Sequence, residues 1–569
     1  MKLDAATLAR RIDQALSREP ADLVVKGGRI LDLVTGELGE GDVAITGDTI
    51  VGTYASYEGR RVVDARGKVV VPGFVDAHVH VESTMVTPAE FDACVLPHGT
   101  TTAICDPHEI ANVLGLEGLR YFLDAAGGLA MDLFVQLSSC VPATHLETSG
   151  ARLSAADLLP LRGHPRVLGL AELMNFPGVL RKDPDVLEKL AAFSDGHIDG
   201  HAPFVTGKEL NAYAACGIRN CHESTRLEEA REKLRKGLQV FLRDGSVSKD
   251  VRRLAPLLTD VTSPFLAFCT DDRNPLDIAE EGHLDHLIRS AIAVGVPVGA
   301  AYRAATWSAA RGFNLRDRGL VAPGYRADLV LLDDVETCQV ARVIARGAPV
   351  DDATFARTRR VPDVGRGSLR LDAVTADVFR TPAAGPTGPV IGVIEGSIVT
   401  DALSLTLPWR DGERFPDPAQ GVHRIAVLAR HGKNHNVGRG FVRGFGLRRG
   451  ALASSVGHDS HNVIVVGASD AEMALAVNRL RALGGGFVAV AGTEVVAELP
   501  LPLAGLLSDR PFGEVRDRLR DLRTAVRALG CPLREPFLQL AFLPLPVIPH
   551  LKITDLGIVD VDRFALVTN

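Results

Sequence analysis

Pro72-Gly-Phe-Val-Asp-Ala-His78-Val-His80 is a short apolar strand that ends in two histidines at i and i+2. In an extended chain those side chains point to the same side, so both can reach one ion. From this strand to about residue 312, apolar strands alternate with helical segments. Eight strand ends fall near His78, Cys105, Leu137, Glu172, His201, His222, Leu242 and Asp271. Thr87-Pro88-Ala89-Glu90 and Thr225-Arg226-Leu227-Glu228 read as capping boxes that start two of the intervening helices, the first with Pro at the first helical position. Alternation at this count predicts an α/β fold built on a closed (β/α)8 TIM-type barrel over residues 72–312. An open doubly wound sheet is the alternative, although no Gly-x-Gly-x-x-Gly turn follows the first strand.

Outward from the barrel, Asp22-Leu-Val-Val-Lys26, Gly28-Arg-Ile-Leu31, Asp42-Val-Ala-Ile45 and Asp48-Thr-Ile-Val51 are short strands with Gly turns. A similar block returns at Ala327-Asp-Leu-Val-Leu-Leu332 and Val340-Ala-Arg-Val-Ile-Ala-Arg-Gly347. The expectation is therefore a split flanking β-sandwich. Residues 1–71 supply an N-terminal surface helix and its first part, and 313–375 supply its second part. Arg380-Thr-Pro-Ala-Ala-Gly-Pro-Thr-Gly-Pro389 reads as a linker within a C-terminal α+β domain over 376–569, with a strand at Asn462-Val-Ile-Val-Val466 and a helix near 469–483.

The chain has 569 residues, 46% of them hydrophobic, and a net charge of −7 with both signs interspersed. That balance gives no footprint for nucleic acid. No run reaches the ~20 apolar residues of a membrane span, and the start lacks the apolar core of a signal peptide. The eight cysteines are scattered and several lie in apolar runs. They read as reduced thiols in a cytoplasm.

Functional groups of a parallel barrel gather at the C-terminal strand ends. Those ends present His78, His80, Glu172, His201, His222 and Asp271. Singly, each has a plain structural reading: a surface His-x-His, a Glu in an ion pair, an Asp271-Asp272 helix cap. Jointly, six N and O donors from five strands exceed what one tetrahedral ion needs, and two ions bridged by a carboxylate fit better.

The opening Pro72–His80 resembles that of the amidohydrolase superfamily, whose barrels carry such a split β-sandwich. Longer stretches resemble the bacterial adenine deaminases: His80-Val-Glu-Ser-Thr-Met-Val-Thr-Pro-Ala-Glu-Phe91, His98-Gly-Thr-Thr-Thr102 and Asp106-Pro-His-Glu-Ile-Ala-Asn-Val-Leu-Gly115. So do Ala171-Glu-Leu-Met-Asn-Phe-Pro-Gly-Val179, Gly207-Lys-Glu-Leu-Asn-Ala-Tyr213, His222-Glu-Ser-Thr225, Thr270-Asp-Asp-Arg-Asn-Pro275, His458-Asp-Ser-His-Asn462 and Ala474-Leu-Ala-Val-Asn-Arg-Leu480. The resemblance covers nearly the whole chain. It implies hydrolysis of adenine to hypoxanthine and ammonia at two divalent ions (Mn, Fe or Zn), with Glu172 bridging them where most two-metal amidohydrolases use a carboxylated lysine. Two departures sit beside expected ligands: Cys221 precedes His222 where Asp is commoner, and Phe204-Val205 follows His201-Ala-Pro203 where Gly-Leu is usual.

Such a reaction needs a carboxyl group to carry protons to the ring and to the leaving amine. The candidates are Glu109 and Asp106 in the loop after strand two, with Glu82 behind them at the substrate; Glu109 is preferred. A helix N-terminus is the plain alternative for both acids. His108 is expected to polarise the intermediate or position its neighbours. His458, Asp459, Ser460 and His461 are expected to cover the barrel mouth and bind adenine, from the same chain or from a partner in a homodimer or higher homo-oligomer. The alternatives are a deaminase of N6-substituted adenine, a cyclic amidase that the missing strand-four lysine disfavours, and a silent barrel scaffold.

Overall fold

The computed structural model describes residues 3–358 and 360–567. An N-terminal helix spans Ala5–Ala15, started by Asp4, whose carboxylate accepts from the Thr7 amide at 2.7 Å. Met1 and Lys2 of the expected surface helix lie outside the described residues. Strands β1 (Leu23–Leu31), β2 (Leu38–Thr46), β3 (Thr49–Thr53), β4 (Val62–Asp64) and β5 (Val69–Pro72) follow. After them the chain turns parallel.

Eight parallel strands come next: β6 (Phe74–Val79), β7 (Thr100–Cys105), β8 (Asp132–Leu137), β9 (Val167–Leu173), β10 (His197–Gly200), β11 (Asn220–Cys221), β12 (Gln239–Arg243) and β13 (Leu266–Cys269). The first five form one sheet in the order β10-β9-β8-β7-β6, and the other three form a second. These strands are buried on both faces, which is why they read as nearly continuous apolar runs. At one seam Val79 bridges Asp271 in parallel, with the His80 amide donating to Asp271 O at 3.2 Å and the Asp271 amide to His78 O at 3.0 Å. At the other, the Arg219 amide donates to Ile198 O at 3.2 Å and the Gly200 amide to Asn220 Oδ1 at 2.9 Å. Only glycine fits there, because a Cβ on Gly200 would lie 2.2 Å from Asn220 O.

Strands β14 (Leu329–Asp334), β15 (Gln339–Ala345) and β16 (Ala348–Pro349) return to the flanking sheet, whose order is β16-β15-β14-β5-β1-β2-β3 with β4 paired to β1. The joint between this sheet and the parallel strands is ionic. The Asp132 carboxylate, at the start of β8, receives Arg166 at 2.8 Å, Arg318 at 2.9 Å, Arg326 at 3.1 Å and Arg346 at 2.6 Å.

Beyond residue 376, an eight-stranded sheet runs from Thr387–Val393 to Glu494–Pro500 and carries helix Asp470–Leu483 on one face. The Pro/Gly-rich stretch is thus only partly linker. Its last three residues open the strand Thr387–Val393, in which Pro389 pairs with Ser404. The two capping-box expectations also fail. Helices begin at Pro88 and Leu227, but Thr87 makes no side-chain cap bond, and the second helix starts one residue late, so Arg226 rather than Thr225 occupies the cap position and also makes none. Glu90 instead accepts from the Phe512 amide at 3.0 Å and pairs with Arg360, so the C-terminal residues have taken the group a capping box would use. One apolar cluster runs from Val79, Phe91 and Leu133 through Ile425, Val466 and Leu519, so the parallel strands and the C-terminal sheet share a core. Among the described residues no helix is long and apolar enough to cross a membrane.

Asp132→Asn leaves four buried or half-buried guanidinium groups without their shared carboxylate. Breaking one partner of a buried ion cluster costs about 3–5 kcal/mol. The expected result, read by chemical denaturation, is a loss of that order in unfolding free energy, with the far-ultraviolet circular dichroism of the native state unchanged.

Candidate metal-binding active site

Strand ends deliver the six sequence-predicted donors to one buried point. His78 lies inside β6, His80 just past it, and Glu172 is the penultimate residue of β9. His201, His222 and Asp271 follow β10, β11 and β13 by one or two residues. All six are at most 5% exposed. The Nε2 atoms of His78 and His80 stand 3.1 Å apart. Glu172 Oε1 lies 3.7 Å and 3.4 Å from them, and Asp271 Oδ1 3.5 Å and 3.1 Å. Glu172 Oε2 turns the other way, 2.6 Å from His201 Nδ1 and 3.3 Å from His222 Nε2. One carboxylate therefore faces two histidine pairs, one with each oxygen.

This donor set suits a divalent cation. Glu172, Asp271, Glu223 and Asp272 are buried beside a single guanidinium, that of Arg243. The nitrogens and oxygens converge without a thiolate, and His201 Nε2 has no hydrogen-bond partner among the described residues. Imidazole and carboxylate without sulfur match borderline and hard divalent ions. Burial alone would favour the neutral acids, yet His201 and His222 hold Glu172 well below the ordinary carboxylate range, and Arg243 does the same for Asp271.

Asp106, just past β7, and Glu109, in the first turn of the helix His108–Leu114, form a second layer. Asp106 Oδ2 meets His108 Nδ1 at 2.9 Å, and Asp106 Oδ1 accepts from Ser138 at 3.1 Å. Glu109 Oε1 accepts from Ser83 at 3.3 Å and faces His458 Nδ1 at 3.3 Å, while Oε2 has no hydrogen-bond partner among the described residues. Burial and the charge of Glu109 push Glu82 up to about 8, and burial likewise raises Glu109. Burial works against a charged His458, but Glu109 and Asp272 outweigh it and lift it to about 9.

Over the donors lies a small, partly open pocket of about 20 Å³, lined by His80, His108, Glu172, His201, His222 and Asp271 together with residues of the C-terminal sheet region. His458 and Asp459 of the same chain are among the lining residues, and the His458 ring stacks on Phe542 at 4.6 Å. Asp459 Oδ1 is 3.5 Å from His108 Nε2. Ser460 and His461 do not reach the cavity. Ser460 donates to Glu147 at 2.7 Å, and His461 Nδ1 accepts from the Gly457 amide at 3.2 Å, closing the turn that presents His458. Glu82 and Glu109 stand outside the lining shell as well.

Both departures from the family pattern also face away. Cys221 Sγ accepts from the buried Lys233 at 3.3 Å, behind His222. Phe204, at φ +60°, lies under Arg226. Sequence reading missed Glu223, Arg243, Met174, Ile398, Phe542 and Leu545 on the wall. A charged residue right after His222 and another ending β12 were available signals. The apolar wall residues gave none, since they read as core.

The amidohydrolase family model matches residues 69–350, and the adenine deaminase C-terminal domain model matches 397–565. An adenine deaminase of Methylobacterium nodulans is 64% identical over 99% of both chains. One of Gluconobacter oxydans is 60% identical over 99% of this chain and 100% of its own, and adenine deaminase 1 of Agrobacterium fabrum is 58% identical over 99% and 98%. The chain belongs to the adenine deaminase family. Both spans of that family are occupied by the geometry above, because the wall formed by His458, Asp459 and Phe542 comes from the second.

Removing the shared carboxylate tests the cluster directly. Glu172→Ala is expected to lower the metal content of purified protein, read by elemental analysis, while the circular dichroism spectrum stays that of the wild type.

Proposed function

We propose that this chain hydrolyses adenine to hypoxanthine and ammonia at a binuclear metal centre, in the cytoplasm, on a closed (β/α)8 barrel. The observation that carries the reading is Glu172 facing two histidine pairs, in a chain whose full-length relatives at about 60% identity bear the name adenine deaminase. The hydrogen bonds at both seams support closure of the eight strands, and sheet membership supports the domain order of flanking sheet, parallel strands, flanking sheet and C-terminal sheet, with Pro72 still in the flanking sheet. Eight unpaired cysteines suit a reducing compartment.

His78, His80 and Asp271 would hold one ion, His201 and His222 the other, and Glu172 both. Mn, Fe and Zn all accept this donor set. Such ions, when bound, supply a water acidified from ~15.7 toward ~7, ready to attack the ring carbon that carries the amine. The chain's own groups do the rest. Glu109, which stands just behind the lining residues and would turn its unpartnered Oε2 toward the base, gives its proton to the ring nitrogen, takes up the proton released by the attacking water, and passes that one to the departing amine as the C–N bond breaks. Glu82, whose charge opposes that of Glu109, keeps the pair protonated once. Asp106 fixes the tautomer of His108, whose Nε2 faces Asp459 and steadies charge on the attacked ring. The wall of Phe542 and His458 presents flat surfaces to a planar base and excludes water.

Three measurements test this. Adenine added to metal-loaded protein is expected to give hypoxanthine with equimolar ammonia, and adenosine to react far more slowly. An inert adenine with a reactive N6-methyladenine would overturn the substrate assignment. Fully active protein with about two ions per chain fits the bridged centre; full activity at one ion refutes it. Glu109→Gln is nearly isosteric and is expected to retain metal while kcat falls ~10²–10⁴-fold. Near-normal kcat in that variant, with a collapse in Asp106→Asn, would exchange the two roles.

A further inference from the structure

Arg243 closes β12 beside the cavity with a fully buried guanidinium. Its Nη1 donates to Asp271 Oδ2 at 2.8 Å and also to Glu223 Oε1, and its Nη2 donates to Glu223 Oε2 at 3.1 Å. Asp250 stands 3.6 Å from the same Nη2. Three carboxylates thus surround one fork. Glu223 is not among the six donors, yet its Oε1 lies 3.8 Å from His201 Nδ1 and 3.7 Å from His222 Nε2. A small rotation would bring it onto the ion that these histidines and Glu172 are proposed to hold. Both of its oxygens are taken by Arg243 instead. Asp271 is constrained in the same way: the guanidinium takes Oδ2 and leaves only Oδ1 toward His78 and His80.

We propose that Arg243 is a positioning residue that fixes the coordination number of the metal centre, holding Glu223 off the ion at His201 and His222 and limiting Asp271 to one oxygen. This rests on the metal-centre reading above. The physical case is a competition for buried negative charge. A carboxylate in a dry site must find a cation. With Arg243 in place, Glu223 finds the guanidinium; without it, the nearest cation is the metal. A catalytic site needs an open position where water and substrate enter, and structural sites are closed. Arg243 keeps this one open.

The test compares wild type, Arg243→Met, Arg243→Lys and Arg243→Met/Glu223→Gln, each loaded with Co²⁺. Arg243→Met is expected to keep its ions, to release them to a chelator more slowly than wild type, and to show weaker visible absorbance per ion as the coordination number rises. Its kcat is expected to fall about 10–100-fold, the usual scale for loss of a group that orients metal ligands. The double variant is expected to move release rate and absorbance most of the way back toward wild type, the remainder reflecting the freed Oδ2 of Asp271, and to recover part of kcat. Arg243→Lys, which keeps the charge but loses the fork, is expected to shift both readouts in the same direction by less. Faster ion loss in Arg243→Met that Glu223→Gln does not reverse overturns the proposal, as do wild-type release and absorbance in Arg243→Met and Arg243→Lys. Wild-type protein that takes up no ion overturns the metal-centre reading itself, and this proposal with it.

Discussion

Glu172 offers one oxygen to His78 and His80 and the other to His201 and His222. A carboxylate in that position holds only if the strands on either side of it stay in register to a fraction of an ångström. Much of the architecture serves that requirement. β9 places Glu172, β6 carries His78, and the bridge from Val79 to Asp271 ties the β6 end to the strand that supplies Asp271. At the opposite seam Gly200 lets β10 approach β11 closely enough for His201 and His222 to share Glu172 Oε2. Arg318, Arg326 and Arg346, from the segment that enters and forms the flanking sheet, lock the far end of β8 through Asp132. Loosening either end would widen the distances on which the shared carboxylate depends.

The C-terminal sheet contributes more than cover. Its turn at 457–462 is gripped from both sides: His431 Nε2 meets Ser460 O at 2.7 Å, and Asn462 donates to Thr148 O at 2.9 Å in the loop after β8. Ser460 and His461 belong to that grip. Their work is to present His458 and Asp459, which explains why they are buried yet absent from the cavity wall. The result is an alternation of acid and imidazole, Asp106–His108–Asp459–His458–Glu109, that crosses from one sheet system to the other. In a site so dry, each such contact is stronger than it would be in water, and each unpaired group is more costly.

The strand ends were legible because parallel strands buried on both faces must be apolar until the point where the chain leaves the sheet. At Cys105 and Leu137 the predicted and observed ends coincide, and at Glu172 and Leu242 they differ by one residue. The donors stand out for the same reason: His, Glu and Asp interrupt apolar runs at equivalent places. The helix starts at Pro88 and Leu227 were also readable, but not their caps, since a residue such as Glu90 answers to a partner 422 positions away at Phe512. Arg243 and Glu223 were invisible as a pair for a like reason. Nothing local says that a strand-end arginine on β12 and the residue after a histidine just past the neighbouring β11 will meet. Phe542 and Ile398 carry no chemical signal and become wall only through the tertiary fold.

Six buried polar atoms around the proposed chemistry find no hydrogen-bond partner among the described residues: Glu82 Oε2, Glu109 Oε2, His201 Nε2, Arg243 Nε, His458 Nε2 and Asp459 Oδ2. Each such group costs ~1–3 kcal/mol, a large fraction of the 5–15 kcal/mol by which a domain is stable. A site of this kind cannot be carried by the parallel strands alone. The apolar cluster that runs from Val79 and Phe91 into Val466 and Leu519 supplies the offset, by making the C-terminal sheet part of the same core. Integration of the two is therefore tied to the density of unpaired polar groups between them. The elements that seal the cavity are also those that stabilise it, and a family that has kept both spans along its whole length is what that coupling predicts.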